Sequence, residues 1–154
     1  MLLKNFLMVQ YFLDPCSNSY SLVDAMVEYR LPQDGLWESW DYPTIFVNPP
    51  YGRNKINKIT IKDWIQKCLE THIQYNSEVL ALIPVATNTE HWKRYIFKKA
   101  NCVCFLNDTR LKFLINGKDG GKGAPMACAI VYWGNNRKKF WKVFDKKYGN
   151  VVNV

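Results

Sequence analysis

Residues 79–85, Val-Leu-Ala-Leu-Ile-Pro-Val, form an apolar run of strand length with no polar side chain to turn toward water. A strand of that kind is stable only where helices cover both of its faces, which points to a layered α/β fold. The preceding segments fit the same scheme. Over 60–75 the apolar residues Ile61, Trp64, Ile65, Cys68, Leu69 and Ile73 recur at intervals of three and four, with Thr60 and Asp63 spaced as a capping box, so a helix is expected there. Upstream, 44–47 is a β-branched and aromatic run halted by Asn48-Pro49-Pro50, because two prolines cannot continue a ladder. A shorter apolar run, 10–13, closes at Asp14-Pro15 and would deliver a carboxylate to the carboxyl edge of the sheet, where α/β folds bind ligands.

The remaining segments complete this arrangement. Leu22, Ala25, Met26 and Tyr29 give 21–30 a weak helical pattern that Pro32 ends, and Trp92, Ile96 and Phe97 mark a shorter helix over 89–100. Residues 102–106 read as another buried strand. Residues 110–115 and 126–133 read as a hairpin around 117–123, a loop too rich in glycine to form an element. The tail, 137–148, surrounds Phe140, Trp141, Val143 and Phe144 with basic residues and is expected to dock as an amphipathic helix. The whole reads as one domain, 1–154, an α/β three-layer sandwich with a mostly parallel sheet and a C-terminal antiparallel hairpin.

Composition narrows the function classes. With 21 Lys+Arg against 13 Asp+Glu the net charge is +8, and Lys and Arg gain affinity for a polyanion by releasing its counterions. No apolar run approaches the ~20 residues that span a bilayer. The apolar start carries Lys4 as its only charge and lacks a small-residue cleavage site before Asp14, so it is not read as a secretory signal and the protein is expected in the cytoplasm. Five cysteines without regular spacing suit reduced thiols. Cys102 and Cys104 would share one strand face, and Cys68 with His72 would make at most half a zinc site, so core positions are expected and no metal.

Chemistry concentrates at Phe46-Val47-Asn48-Pro49-Pro50-Tyr51-Gly52. Asn48 offers a side-chain carbonyl oxygen, and the rigid Pro49-Pro50 pair holds a backbone carbonyl in an extended direction. Two acceptors aimed at one amino group can take both of its hydrogens, which orients the nitrogen lone pair for attack without a strong base. Tyr51 adds a planar face on which an unstacked base can rest, and Gly52 lets the backbone turn away behind the ring. The alternative is an ordinary turn, since each of these residues is common in turns. A second polar corner at Asp14 on a basic chain favours the catalytic reading.

The sequence resembles the phage-type DNA adenine methyltransferases that use S-adenosylmethionine. The resemblance runs from about Phe12 to Trp133 and rests on an ordered set of blocks. They are Phe12-Leu13-Asp14-Pro15-Cys16, Asp34-Gly35-Leu36 with Trp40, Phe46 to Gly52, Leu82-Ile83-Pro84-Val85 with Thr89 and Trp92, Arg110-Leu111-Lys112-Phe113, and Gly123-Ala124-Pro125-Met126. It implies a compact Rossmann-like class I methyltransferase sandwich that transfers a methyl group to the N6 amino group of adenine in DNA. Asn48, Pro49, Pro50 and Tyr51 would hold the amino group. Asp14, Pro15 and Cys16 would border the donor, with Asp34 as a further donor contact or a turn residue before Gly35. Asn-Pro-Pro-Tyr is shared with other amino methyltransferases, so it fixes the reaction type better than the substrate. The resemblance also suggests a virus or mobile element acting in a host cytoplasm.

Arg53, Lys55 and Lys58 directly follow the motif, Lys118 and Lys122 sit on the glycine-rich stretch, and Arg110 and Lys112 alternate with Leu111 and Phe113. These seven are the expected DNA contacts, with neither membrane nor metal as partner and a homo-oligomer permitted. Two departures from the family pattern define the competing reading. A walling Thr-Pro segment is not found before Asp14, and residues 14–19 contain no glycine to let backbone approach a donor closely. A nucleic-acid-binding module that kept the fold and lost the reaction would show both. A third reading keeps the chemistry and moves it to RNA or a protein glutamine.

Overall fold

The computed structural model describes residues 10–107, 112–115, 118–123 and 126–154, with 112–115 and 118–123 described by backbone. Four strands run parallel: β1 (Leu13–Ser17), β2 (Val27–Arg30), β3 (Thr44–Val47) and β4 (Glu78–Pro84). Helix α1 (Ile61–Tyr75) joins β3 to β4. Downstream come β5 (Cys102–Leu106), β6 (Lys112–Ile115), β7 (Lys118–Gly123), β8 (Cys128–Trp133), helix α2 (Arg137–Phe144) and β9 (Gly149–Asn153). The main sheet has seven strands in the order β2-β1-β3-β4-β8-β5-β9, so its first half is parallel and its second half antiparallel.

Because side chains alternate along a strand, the central strands divide the core in two. Ile45, Val47, Val79, Ala81, Ile83 and Val131 pack in one cluster with Trp64, Ile65, Cys68 and Leu69 of α1. Phe46, Leu82, Ile130 and Tyr132 pack in the other with Phe140 and Phe144 of α2, and both Cys102 and Cys104 belong to it, as expected of one strand face. Each fully buried aliphatic side chain contributes about 1.5–3 kcal/mol relative to an exposed one, so the ends of β3 and β4 are held firmly. Helix α1 begins as its sequence indicates. The Thr60 N–H donates to Asp63 Oδ2 at 2.8 Å, and the helix ends at Asn76 in the left-handed region (φ 56°), whose N–H donates to the His72 carbonyl.

Five expectations are corrected. The helix expected over 21–30 does not form: Asp24 adopts φ 51°, Met26 is 60% exposed, and Val27 and Tyr29 extend into β2 beside β1. The helix expected over 89–100 shrinks to a π-helical turn, Trp92–Ile96, with both end residues buried and Lys98 at φ 60° just beyond. The expected hairpin also re-partners. The glycine-bearing β7 is itself a strand, antiparallel to β6 in a separate two-stranded sheet, since glycine keeps both ladder groups of its backbone. β8 instead lies between β4 and β5, antiparallel to each. The tail keeps its docked helix but adds β9 along β5. Finally, β1 continues through Asp14-Pro15, pairing with β3 at Leu13 and shifting register against β2 between Asp14 and Ser17. Among the described residues no helix is long and apolar enough to cross a membrane.

Candidate active site

The carboxyl ends of β1 and β3 open onto one cleft of about 490 Å³. Pro15, Cys16 and Asn18 line it from β1 and the turn beyond. Tyr29 and Leu31 line it from β2 and its exit, Asp34 and Gly35 from the following turn, and Asn48, Pro49, Pro50 and Tyr51 from the end of β3. The corner closing β3 and the corner in β1, more than thirty residues apart in the chain, therefore face the same hollow because their strands are neighbours.

At the β3 corner, Asn48 is half-buried and its side-chain amide has no hydrogen-bond partner among the described residues. Pro49 is buried and Pro50 exposed. The Tyr51 hydroxyl donates to the Leu82 carbonyl on β4 at 3.0 Å, which fixes the direction of the ring. Burial, with Cys128 second, pushes the Tyr51 phenol far above its ordinary value, so it remains a donor at any physiological pH.

The opposite wall is tied down by backbone contacts. Asp34 Oδ1 accepts the Leu36 N–H at 3.0 Å, so this carboxylate both makes a turn and lines the cleft. The Trp40 indole N–H donates to the Gly35 carbonyl at 2.8 Å, and Lys67 Nζ of α1 donates to the carbonyls of Leu36 and Glu38 at 2.5 and 2.6 Å. Lys67 also lies over the Trp40 ring, 5.0 Å from its centroid.

Asp14 is buried and lies beside the lining rather than in it. Its Oδ1 accepts the Cys16 N–H at 3.0 Å. Burial raises its carboxyl to about 6, with the nearby Glu28 adding to the rise and the Cys16 N–H and Arg30 opposing it. Burial likewise drives the Cys16 thiol well above its usual value, which keeps it protonated.

Several lining residues escaped the sequence reading. Tyr29 and Leu31 were assigned to a helix and its exit, where nothing marked them as facing a ligand. Trp64 was read as core, and it is buried, but it also lines the cleft, and its buried indole N–H has no hydrogen-bond partner among the described residues. The indoles of Trp40, Trp92 and Trp133 each donate to a backbone carbonyl, so Trp64 is the exception among these four. Its place in the first turn of α1, the turn that points back toward the strand ends, is the signal that could have found it.

Among the expected polyanion contacts, Arg53, Lys55 and Lys58 are exposed on the loop leaving Tyr51. Lys112 lies on β6, and Lys118 and Lys122 on β7. Arg110 lies outside the described residues. All five cysteines are unpaired, and Cys68 of α1 is buried in the core while the His72 ring meets the Ser77 carbonyl at 2.8 Å. Among the described residues no group of three His, Cys, Asp or Glu side chains could hold a metal ion.

The family model described as DNA N-6-adenine-methyltransferase (Dam) matches residues 5–151. No curated protein and no solved structure matches the chain.

Proposed function

The chain belongs to the DNA N-6-adenine-methyltransferase (Dam) family, and from that premise we propose that it transfers a methyl group from S-adenosylmethionine to the N6 amino group of adenine in DNA. The observation that carries the proposal is the shared cleft: the Asn48-Pro49-Pro50-Tyr51 corner and the Pro15, Cys16 and Asp34 wall line one hollow. Its volume lies in the ~300–1,000 Å³ range of small-molecule sites. The fold reading that goes with it is a class I methyltransferase sandwich, supported by parallel strands whose carboxyl ends form the site.

S-adenosylmethionine fits the residues present. The buried, unpartnered Trp64 N–H can serve a polar group of the donor, Asp34 has a carboxylate at the cleft wall, and Tyr29 and Leu31 supply apolar surface. Pro15 and Cys16 would border the donor, with Asp14 behind them holding the β1 turn through Cys16. When bound, the donor supplies a methyl group on a positively charged sulfur.

The rest of the chemistry belongs to this chain's own residues. The unspent Asn48 amide oxygen and the Pro49 carbonyl would accept the two hydrogens of the amino group. That leaves the nitrogen lone pair pointed away from both, and the two carbonyl dipoles stabilise positive charge as it grows on nitrogen. The Tyr51 ring would stack on the base, held in place by its bond to Leu82. Orientation of a held amino group, rather than proton abstraction by a strong base, supplies most of the effect. Arg53, Lys55 and Lys58 would bind the phosphates beside the cleft, with Arg110, Lys112, Lys118 and Lys122 as further contacts, and the net charge of +8 supports a polyanionic substrate.

Incubation with methyl-labelled donor and unmethylated duplex DNA, RNA or protein tests the reading directly. Label is expected on adenine N6 of DNA and lost in Asn48→Ala. Calorimetry with the donor should give micromolar binding; millimolar or weaker binding would turn the reading toward a nucleic-acid-binding module without the reaction.

A further inference from the structure

The loop leaving the β3 corner carries an apolar side chain with no core to enter. Ile56 is 91% exposed, and in the five residues around it Arg53, Lys55 and Lys58 are exposed as well. The loop is nonetheless a defined shape. Asn54 Oδ1 accepts the N–H groups of both Ile56 and Asn57, at 3.0 and 3.2 Å, and the Asn54 N–H donates to the Ile59 carbonyl at 2.9 Å. Lys58 turns the chain back at φ 57°. What sets this residue apart is its setting: an aliphatic group on a hydrogen-bonded turn directly beyond the cleft, flanked by three exposed cations that form no ion pair among the described residues.

We propose that Ile56 is a wedge that enters the base stack of duplex DNA and fills the gap left when the target nucleotide swings into the Tyr51 cleft. This rests on the function proposed above and extends it to how the base is extracted. Aliphatic wedges are used to part base steps, and the unstacking they cause is offset by contacts that an undistorted duplex cannot make. The cations on the same turn would hold the flanking phosphates, so electrostatic attraction brings the tip to the duplex and apolar insertion opens it. Gly52 follows Tyr51 directly, and a β-carbon placed on it would meet nothing within 4 Å, so the segment is not packed against the core where it leaves the ring. The wedge and the base-stacking ring thus lie five residues apart on one short segment.

The test uses the full chain, Ile56→Ala and Ile56→Asn, and two readouts. The first is methyl transfer from labelled donor to a plasmid, as duplex and after conversion to single strands. Wild type is expected to act on both; Ile56→Ala should lose about tenfold on the duplex while keeping single-strand activity within about twofold, since only a stack needs opening. Equal loss on both substrates, or no loss on either, overturns the wedge. The second readout is fluorescence of a duplex with 2-aminopurine replacing adenine, which brightens when the base unstacks and requires no methyl transfer. Brightening by wild type that Ile56→Ala and Ile56→Asn lose, with salt dependence of binding unchanged, supports the wedge even if transfer is never seen, and then only the chemistry fails. Binding without brightening overturns the wedge while leaving the proposed chemistry to its own assay.

Discussion

A β-carbon placed on Gly35 would lie 1.9 Å from the carbonyl oxygen of Pro15, so the turn carrying Asp34 packs on β1 at a distance only glycine permits. This contact, rather than a glycine in the β1 corner itself, sets how closely the Asp34 turn approaches β1 along the cleft wall. Gly35→Ala is expected to force the turn outward at a cost of about 1–3 kcal/mol. Thermal melting should show a lower midpoint and calorimetry a donor affinity reduced by tenfold or more. A variant that binds donor as well as wild type would contradict this role for the contact.

The Asn48 side chain makes no hydrogen bond among the described residues, so replacing it should separate chemistry from stability. Asn48→Ala is expected to change unfolding free energy by no more than about 0.5 kcal/mol, while turnover drops by about 10²–10³, as on removing one positioned polar group from a reacting centre. Asn48→Asp keeps an acceptor oxygen at the same place and should retain part of the rate. Turnover on labelled DNA, measured with matched denaturation curves, decides both.

Tyr51 anchors the corner through Leu82 and carries the proposed stacking face, and substitution can divide the two. Tyr51→Phe keeps the stacking face and removes the bond to Leu82, so it should destabilise the protein by about 1 kcal/mol and leave substrate binding nearly intact. Tyr51→Ala should additionally weaken binding of single-stranded DNA by about 1–3 kcal/mol. Comparable DNA affinities for the two variants would exclude the stacking role.

Asp14 gives the protein a pH-dependent stability of unusual sign. Its carboxyl titrates at about 6 in the fold because of burial, Glu28 contributing less, and near ~3.9 when unfolded. Between those values the folded chain binds more protons than the unfolded chain, so this residue's contribution makes stability fall as pH rises from about 4 to about 6 and then level off. Asp14→Asn keeps an oxygen for the Cys16 N–H without the buried charge. It should remove that slope and raise stability at pH 7.5, by at most about 3 kcal/mol. Denaturant titrations at pH 4.5, 6 and 7.5 provide the comparison, and an unchanged slope would count against the assignment.

Lys67 acts as a strap from α1 to the 34–40 turn. Lys67→Met preserves the aliphatic stem beside Trp40 and deletes the donors to the Leu36 and Glu38 carbonyls, so weaker donor binding is expected with a modest fall in melting temperature. An unchanged donor affinity would mean that the Asp34 turn holds its position without the strap.

Local signals carried the sequence reading wherever one segment's pattern decided its fate. Thr60 and Asp63 located the start of α1, and the apolar runs behind β4 and β5 can only be buried strands, so each emerged within a residue of its observed position. The spacing of Leu22, Ala25, Met26 and Tyr29 misled because no surface existed to bury that stripe, whereas the edge of β1 offered hydrogen bonds to Val27–Arg30. Trp92 and Ile96 marked a helix over 89–100, yet these two buried anchors are satisfied by a single turn. Strand partners were the least legible feature. Nothing in 128–133 distinguishes pairing with β6 from pairing with β4 and β5, since the choice depends on edges exposed by distant segments. The cleft follows the same logic: Asn48 and Asp34 advertise themselves by local chemistry, while Trp64 and Leu31 reach the hollow only through the tertiary arrangement.

The interior position of β8, between β4 and β5, sets the order in which the molecule can be completed. Until residue 133 has been synthesised, β4 and β5 each present a raw apolar edge toward an empty slot, and such edges recruit strands from other chains. A nascent or truncated chain stopped before that point would retain the Asn48-to-Tyr51 corner yet aggregate, so the interior of the sheet depends on the last strand but one to arrive.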